Sequence, residues 1–463
     1  MTGMPTKIED SEYFSLQEIA EMVSVSRQTL WRWRQEGKMP QGRSFRGRSL
    51  LFSEAEIALV KQRAHELTVP KKKEQSGAFL DNAATTKPLP EVVLAMEKAM
   101  SDFFGNAASA HERGLVMRRV IGEARESIAA LCGSEAEEVI FTSGCTESNN
   151  WVILQRDEEG RSPWKKIVTT RIEHSSVKNA VQVMESWGTE VEWLDTPSEG
   201  RISAQELENV HLDENTLLAI QWANNETGIL NDALGIAEVV KIKGAYFLCD
   251  AAQAFGKTPI NFNSSNIDYL TVSSHKIHGP QGVGAIISRT EAPLSSLLYG
   301  GTQEGGKRPG TENSVGIAGF GTAAAIRKTN FGSLVDKCRN IKNLLENELQ
   351  KAFPAVQISG SHLSRVCHIS NFRIPNLDGQ SIVAQLNSKG IFVSQSSACT
   401  NMKPEPSYVL TEMGYSEEEA YEAIRVGISE NNSISEIERF VSVIIAIAQN
   451  DCEFHFPITR LEA

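Results

Sequence analysis

Apolar side chains change their spacing near residue 78 of this 463-residue chain, and the change divides it into two regions. Before that point they recur at helical intervals. Leu16, Ile19, Ala20 and Val23 share one helical face, and Ser15 with Glu18 forms a capping box at its start. Ser24-Val25-Ser26 reads as a turn, with Ser26 the N-cap of a second helix, Arg27 to Glu36, that Gly37 terminates. On this helix Leu30 and either Trp33 or Trp31 face inward. GRSFRGRSLLFSEAEI predicts a hairpin turning at Arg46-Gly47, after which Ser53 with Glu56 caps a third helix. Residues 68–77, TVPKKKEQSG, combine Pro, Gly and a lysine run and read as a linker.

From Ala78 the pattern switches to short β-rich runs alternating with helical stretches: EVIFTSG, KIVTTRIEH, LLAIQWANNE, AYFLCDAAQ, YLTVSSHK and GVGAIIS. Such alternation predicts an α/β fold with a largely parallel sheet. Polar motifs end several of these runs, where ligands bind in such sheets.

Charge sharpens the division. Residues 1–77 carry 13 Lys and Arg against 10 Asp and Glu, whereas the remainder carries 33 against 48. Within residues 27–48 stand seven basic side chains and one acid, Glu36. A basic face on a second helix (Arg27, Gln28, Arg32, Arg34) followed by a basic ribbon (Arg46, Arg48) resembles the winged helix-turn-helix of excisionase and MerR-like domains. That resemblance implies a DNA-binding module over residues 11–67, its second helix in the major groove and its ribbon on phosphates. The alternative is a helical docking or dimerisation module with a solvated basic face.

A hydrophobic content of 41% excludes a mainly disordered chain. No apolar run reaches the ~18 residues of a spanning helix, and MTGMPTKIEDSEYF has no signal-peptide core. A cytoplasmic protein without a membrane partner is expected. The seven cysteines are odd in number and contain no CxxC pair. They predict neither a disulfide framework nor a metal site, and leave room for one reactive thiol.

Candidate chemistry gathers around Ser273-Ser274-His275-Lys276, after the run YLTVS and before HGPQGVG. A lysine beside hydroxyl and imidazole donors suits a Schiff-base lysine with phosphate ligands as neighbours, although taken alone it reads better as a structural lysine salt-bridged at a strand end. Asp250, 26 residues upstream, ends an apolar run and suits a protonated pyridine nitrogen; Gln253 can reach the ring oxygen. FTSGCTESNN predicts a glycine turn and a helix start, where backbone amides and Thr146 can hold a phosphate. His174, in RIEHSS, is placed to stack on the ring. Together these describe a pyridoxal-phosphate pocket.

The stretches LDNAATT, FGNAASAH, FTSGCTESNN, IEHSSV, NNETGI, DAAQAFGK, SHKIHGPQGVGA, GGTQEGGKRPGTEN, SSACT and PSYVL occur in one order over residues 80–410. Residues 78–450 thereby resemble a NifS-like cysteine desulfurase of the class V aminotransferase group, with the long form of the cysteine-bearing loop. The resemblance implies a fold-type I architecture: a large cofactor domain over 78–330 and a smaller α+β domain over 331–450. It implies pyridoxal 5'-phosphate on Lys276, with Asp250 on the pyridine nitrogen, Gln253 on the phenolic oxygen and His174 over the ring. Cys145 (through its backbone), Thr146, Ser273 and His275 would bind the phosphate, Asn225 would help place cofactor and substrate, and Arg425 would clamp the substrate carboxylate. A homodimer is implied in which Thr311 reaches the neighbouring subunit's phosphate.

Cys399 lies in SQSSACTNMKPEPSYVL among small polar residues with Lys403 nearby, a setting that favours exposure and thiolate character. It is the expected nucleophile: L-cysteine yields alanine, and Cys399 carries the sulfur as a persulfide to an acceptor protein. Joined to the front module, this implies a desulfurase that binds DNA, for autoregulation or for sulfur delivery to DNA modification. The alternatives are a cofactor-sensing transcription regulator and a desulfurase with a partner-docking module. Three departures from the family pattern stand out: Cys145 before the phosphate threonine, Ser274 where glycine is usual, and Val-Gly-Ile-Ser after Arg425.

Overall fold

A computed structural model describes residues 6–8, 11–23, 27–35, 37–45, 49–65, 77–395 and 406–451. Contacts divide the chain into two units, Met1–Ser76 and Gly77–Ala463.

In the first unit four short strands form a sheet, β1 (Thr6–Ile8), β2 (Ser11–Ser15), β3 (Arg43–Phe45) and β4 (Ser49–Ser53), ordered β1-β2-β4-β3. Three helices accompany it: α1 (Leu16–Met22), α2 (Arg27–Gln35) and α3 (Glu54–His65). The strand over 11–15 is absent from the pattern reading. Its pairing Tyr13↔Ser53 joins segments far apart in sequence, so local periodicity does not announce it. The Ser15 capping box forms in full, and at Ser53 the half made by Glu56 is present. Ser15 N donates to Glu18 Oε2 at 2.7 Å, and Ser53 N to Glu56 Oε2 at 2.9 Å. Helix α2 closes at Gly37, whose φ of +64° lets Gly37 N reach Arg34 O and Lys38 N reach Trp33 O. The unit's core is small: Ile19, Val23, Leu30, Phe52, Ile57 and Val60 are buried, Trp33 is half-buried and Trp31 is exposed. Residues 24–26 and the ribbon turn 46–48 lie outside the described residues.

The second unit is built on a seven-stranded sheet. Its order is Val139–Thr142, Gly284–Ser288, Tyr269–Ser273, Tyr246–Asp250, Thr216–Gln221, Lys166–Thr170, Glu190–Leu194, and Gly284–Ser288 runs against the rest. Six of these strands are the apolar runs noted above. They are buried along nearly their whole length, as strands covered on both faces must be. The seventh, Glu190–Leu194, alternates acidic and apolar residues, and Lys166 pairs with its Glu192 at 2.6 Å. Charge on an edge strand discourages further pairing.

A second layer follows Ser314–Thr329 and the long helix Phe331–Ala352. Its antiparallel sheet has the order Gln357–Ile358, Ile369–Arg373, Ala423–Gly427, Ser394–Gln395. Its core includes Leu345, Phe372, Ile424 and Phe440, together with Ala78 and Leu80. The first strand of this unit, Ala78–Phe79, thus packs with the C-terminal layer and pairs with Ile391–Phe392, although it opens the segment expected to build the larger one. That detour carries the following residues, LDNAATT, between the two layers.

Candidate active site

The C-terminal ends of the central strands open on a cavity of about 440 Å³. Cys145, Thr146, His174, Asn225, Asp250, Gln253, Ser273, His275, Lys276 and Arg425 all line it. These residues come from six separate segments of the chain, and strand order brings them together. Thr311 does not line this cavity; it is exposed. Cys399 and Lys403 lie outside the described residues.

Asp250, 6% exposed, ends its strand and accepts hydrogen bonds from Ala252 N (2.9 Å) and from Asn149 Nδ2 (2.7 Å). Asn149 is itself fixed, because Thr271 Oγ1 donates to its Oδ1 at 2.7 Å while its Nδ2 also reaches Ser176 Oγ. Asn149 is a functional residue the sequence reading missed. Its signal is a polar side chain on the buried face of Cys145–Leu154, beside Val152 and Ile153.

Lys276 Nζ donates to the carbonyls of Ala83 (2.7 Å) and Ala84 (2.8 Å), so the LDNAATT turn orients its amine. His275 Nδ1 stands 3.1 Å from Thr85 Oγ1. Burial, and then the charge of Lys276, push His275 down to about 4, which keeps its ring neutral. His174 caps the helix Ser175–Ser186 by accepting from Ser176 N at 3.1 Å through Nδ1, which leaves the proton on Nε2. Burial holds its pKa below the usual range, against the pull of Asp250.

Helix Cys145–Leu154 begins at Gly144, whose φ of +151° suits glycine and which offers no capping side chain. The amides of its first turn are therefore available to an anion in the cavity. Cys145 is held as a thiol: burial first, then the Asp250 carboxylate, push its pKa well up. Such a thiol is a poor nucleophile.

Arg425 is 3% exposed; its guanidinium donates to Asn225 O and to Asp81 Oδ1, each at 3.1 Å. Its Nε and the Oδ1 of Asn225 are buried without partners among the described residues. Gly427 explains the altered turn after Arg425. A Cβ there would stand 2.4 Å from Ala83 N, so only glycine lets this strand approach the LDNAATT segment. Ser274 is accommodated similarly, because its Oγ occupies the space that a Cβ on Gly279 would take.

Two further acids were not visible as site residues. Glu173, beside His174, is fully buried and pushed up to about 8 by desolvation. Glu226, next to Asn225, is raised to about 7 by burial and accepts from Ser407 Oγ at 2.5 Å. Ser407 caps the helix Tyr408–Glu412, which follows the cysteine-bearing segment.

On the first unit, Arg27 and Arg32 are exposed along α2. Arg34 differs from expectation: it is half-buried, and its Nε donates to Gln41 O at 2.9 Å while Gln41 Nε2 returns a bond to Arg34 O. It braces the turn after the helix. The side chain of Gln28, and Arg46 and Arg48, lie outside the described residues.

The cavity's residues fit a phosphorylated pyridine: amides at a helix start, a carboxylate under a heteroatom, an oriented lysine, and an unsatisfied guanidinium for a carboxylate. Comparison with known proteins points the same way. Residues 78–440 match the aminotransferase class-V family, and residues 13–64 match a helix-turn-helix domain. A cysteine desulfurase of Nostoc sp. is 37% identical over 372 residues, covering 80% of this chain and 92% of the relative. The cysteine desulfurase IscS of Methanosarcina thermophila is 36% identical over 381 residues, covering 81% and 93%. A solved NifS-like protein superposes with a TM-score of 0.74 at 30% identity, covering 81% of this chain and all of that one.

Proposed function

The chain belongs to the aminotransferase class-V family and is a cysteine desulfurase, and from that premise we propose that its helix-turn-helix unit carries the enzyme to duplex DNA. The purpose would be autoregulation or sulfur delivery to DNA modification. Its cofactor is pyridoxal 5'-phosphate, which when bound supplies an electron-accepting ring that stabilises negative charge at the substrate Cα.

In this reading Lys276 holds the cofactor through its amine, Asp250 keeps a proton on the ring nitrogen, Gln253 donates to the ring oxygen, and the neutral His174 lies over the ring. The amides of the Cys145–Leu154 first turn, with Thr146, Ser273 and His275, take the phosphate. Arg425 Nε takes the carboxylate of L-cysteine, and Asn225 Oδ1 accepts from a bound N–H. The observation that carries this placement is that these two buried atoms lack partners beside an oriented lysine. When free, the Lys276 amine removes the Cα proton. The Cys399 thiolate would attack the substrate sulfur; the S–S bond forms as the C–S bond breaks, the C–S electron pair stays with the substrate carbons, and proton return to Cβ and Cα yields alanine, leaving a persulfide on Cys399.

A homodimer follows from the same reading. Exposed Met100, Phe104, Leu298 and Tyr299 offer apolar surface to a second copy, and Thr311, outside this cavity, is free to serve the neighbour's. The persulfide passes to an acceptor protein in the cytoplasm, a reducing compartment suited to the free Cys132, Cys249, Cys338 and Cys367.

The test has two arms. Purified protein should be yellow, Lys276→Ala should lose or shift that absorbance, and Cys399→Ala should retain it while failing to form persulfide. Labelled sulfur reaching another thiol at the normal rate would defeat the choice of Cys399. The intact protein should bind duplex DNA with affinity that falls steeply as salt rises, because neutralised phosphates release counterions. Salt-insensitive or undetectable binding would leave the partner-docking reading ahead.

A further inference from the structure

Behind Gln253 a line of buried polar groups leads away from the cavity, and each link restricts the next. The Ala83 carbonyl can only accept, and it receives Lys276 Nζ at 2.7 Å and Gln253 Nε2 at 3.0 Å. The amide nitrogen of Gln253 is therefore on the Ala83 side. Its Oε1 lies on the other side, 2.8 Å from His368 Nε2. An amide oxygen has no proton to give, so that ring nitrogen must be the donor, and Nδ1 carries none. Consistent with this, His368 Nδ1 is buried without a partner among the described residues, a position that suits a bare lone pair better than an N–H.

Lys257 Nζ stands 3.0 Å from the same Nε2. An ammonium there would aim a proton at a nitrogen already holding one, so the arrangement requires a neutral amine. Its surroundings agree. Burial, then the charges of Arg327 and Lys276, push Lys257 down to about 7. The carboxylate of this cluster, Glu430, is taken by Arg327 at 2.7 Å and His278 at 3.4 Å.

We propose that His368 is a positioning residue: its Nε2–H holds the Gln253 amide with the nitrogen end toward the cofactor's ring oxygen, and the neutral Lys257 permits that proton to stay on His368. The inference rests on the reading that Gln253 faces the ring oxygen. The two ends of an amide are nearly the same shape, so packing alone does not choose between them. Turned over, Gln253 would present an oxygen to an anionic oxygen. An N–H donor stabilises the anionic form of the ring oxygen, so the protonation midpoint of the loaded protein, followed by visible absorbance, reports which end is presented.

The experiment titrates that absorbance with pH in full-length protein loaded with pyridoxal phosphate. His368→Leu is expected to raise the midpoint by about one pH unit, in the same direction as Gln253→Leu. The double variant should match Gln253→Leu alone, because His368 acts only through Gln253. His368→Gln, whose amide nitrogen falls where Nε2 stood, should return the midpoint most of the way to the wild-type value. Lys257→Met should leave the midpoint unchanged, since it too is uncharged. Should leucine prevent cofactor binding, His368→Asn, too short to reach Oε1, gives the same reading. An unmoved midpoint in the His368 variants beside a moved one in Gln253→Leu overturns the inference alone. An unmoved midpoint in Gln253→Leu overturns the placement of Gln253 and the inference with it. Full additivity in the double variant, or a Lys257→Met shift as large as that of His368→Leu, also overturns it.

Discussion

In the large unit the working charges are enclosed and held: Asp250 by Asn149 and Ala252, Lys276 by two carbonyls, Arg425 by Asp81 and Asn225. In the first unit Arg27 and Arg32 stand in solvent on a helix whose other side buries Leu30. On the function proposed above, the contrast follows from what each surface would meet. Chemistry at one carbon needs charges fixed before the reactant arrives and shielded from water, which strengthens them. A phosphate backbone is itself solvated and repetitive, and side chains that reach it must remain mobile and exposed. Burial therefore marks the catalytic groups, and exposure the recognition groups.

This contrast can be broken from either side. The largest effect is expected from Phe52→Ala. Phe52 is fully buried in a core of few residues, so the substitution should remove about 3–5 kcal/mol from a small unit. A separate low-temperature transition should disappear in calorimetry and DNA binding should be lost, while alanine formation continues. Loss of turnover together with DNA binding would mean the two cores are not independent.

Asp250→Ala should lower turnover by about 100-fold, the scale of one preorganised electrostatic contact, while the cofactor still attaches to Lys276. Asn149→Ala should fall in the same direction by less, since it leaves the Ala252 amide on the carboxylate. Near-normal alanine formation by Asp250→Ala would refute its assigned role.

Glu226 gives a pH test. Its folded pKa is raised by burial to about 7, above the ordinary 4.5. Between those values the folded chain holds the proton more tightly than the unfolded one. The large unit therefore loses stability from this group as pH rises through that window. Glu226→Gln carries no titrating proton, so its stability relative to wild type should improve from pH 5 to pH 8 by roughly 2 kcal/mol. Urea midpoints at the two pH values measure it, and an unchanged difference would show that Glu226 ionises freely.

The smallest effect is expected from Arg27→Ala with Arg32→Ala. Two lost phosphate contacts should lower the slope of log affinity against log salt by about 2, with turnover unchanged. A slope equal to wild type would move the DNA-facing surface elsewhere on the unit.

Much of this was legible before any coordinates. Capping boxes at Ser15 and Ser53, six buried strands and the polar residues ending them depend on neighbours a few positions apart, and such local rules survive in the fold. Arg34 shows the limit at close range: a basic residue on a surface helix reads as free, yet its Nε is spent on Gln41 O seven positions on. The strand over 11–15 and the transfer of Ala78–Phe79 to the C-terminal layer were not legible, since pairing partners lie tens or hundreds of residues away.

The sequence by itself determined the family, the cofactor and most of the groups that line the cavity, because reactive side chains at strand ends recur in a fixed order. Tertiary structure decided how those groups are held. Asn149 reaches Asp250 across 101 residues, His368 reaches Gln253 across 115, and Asp81 reaches Arg425 across 344. A hydrogen bond is made or missed within half an ångström, and only the stacking of strands and layers brings such distant atoms that close.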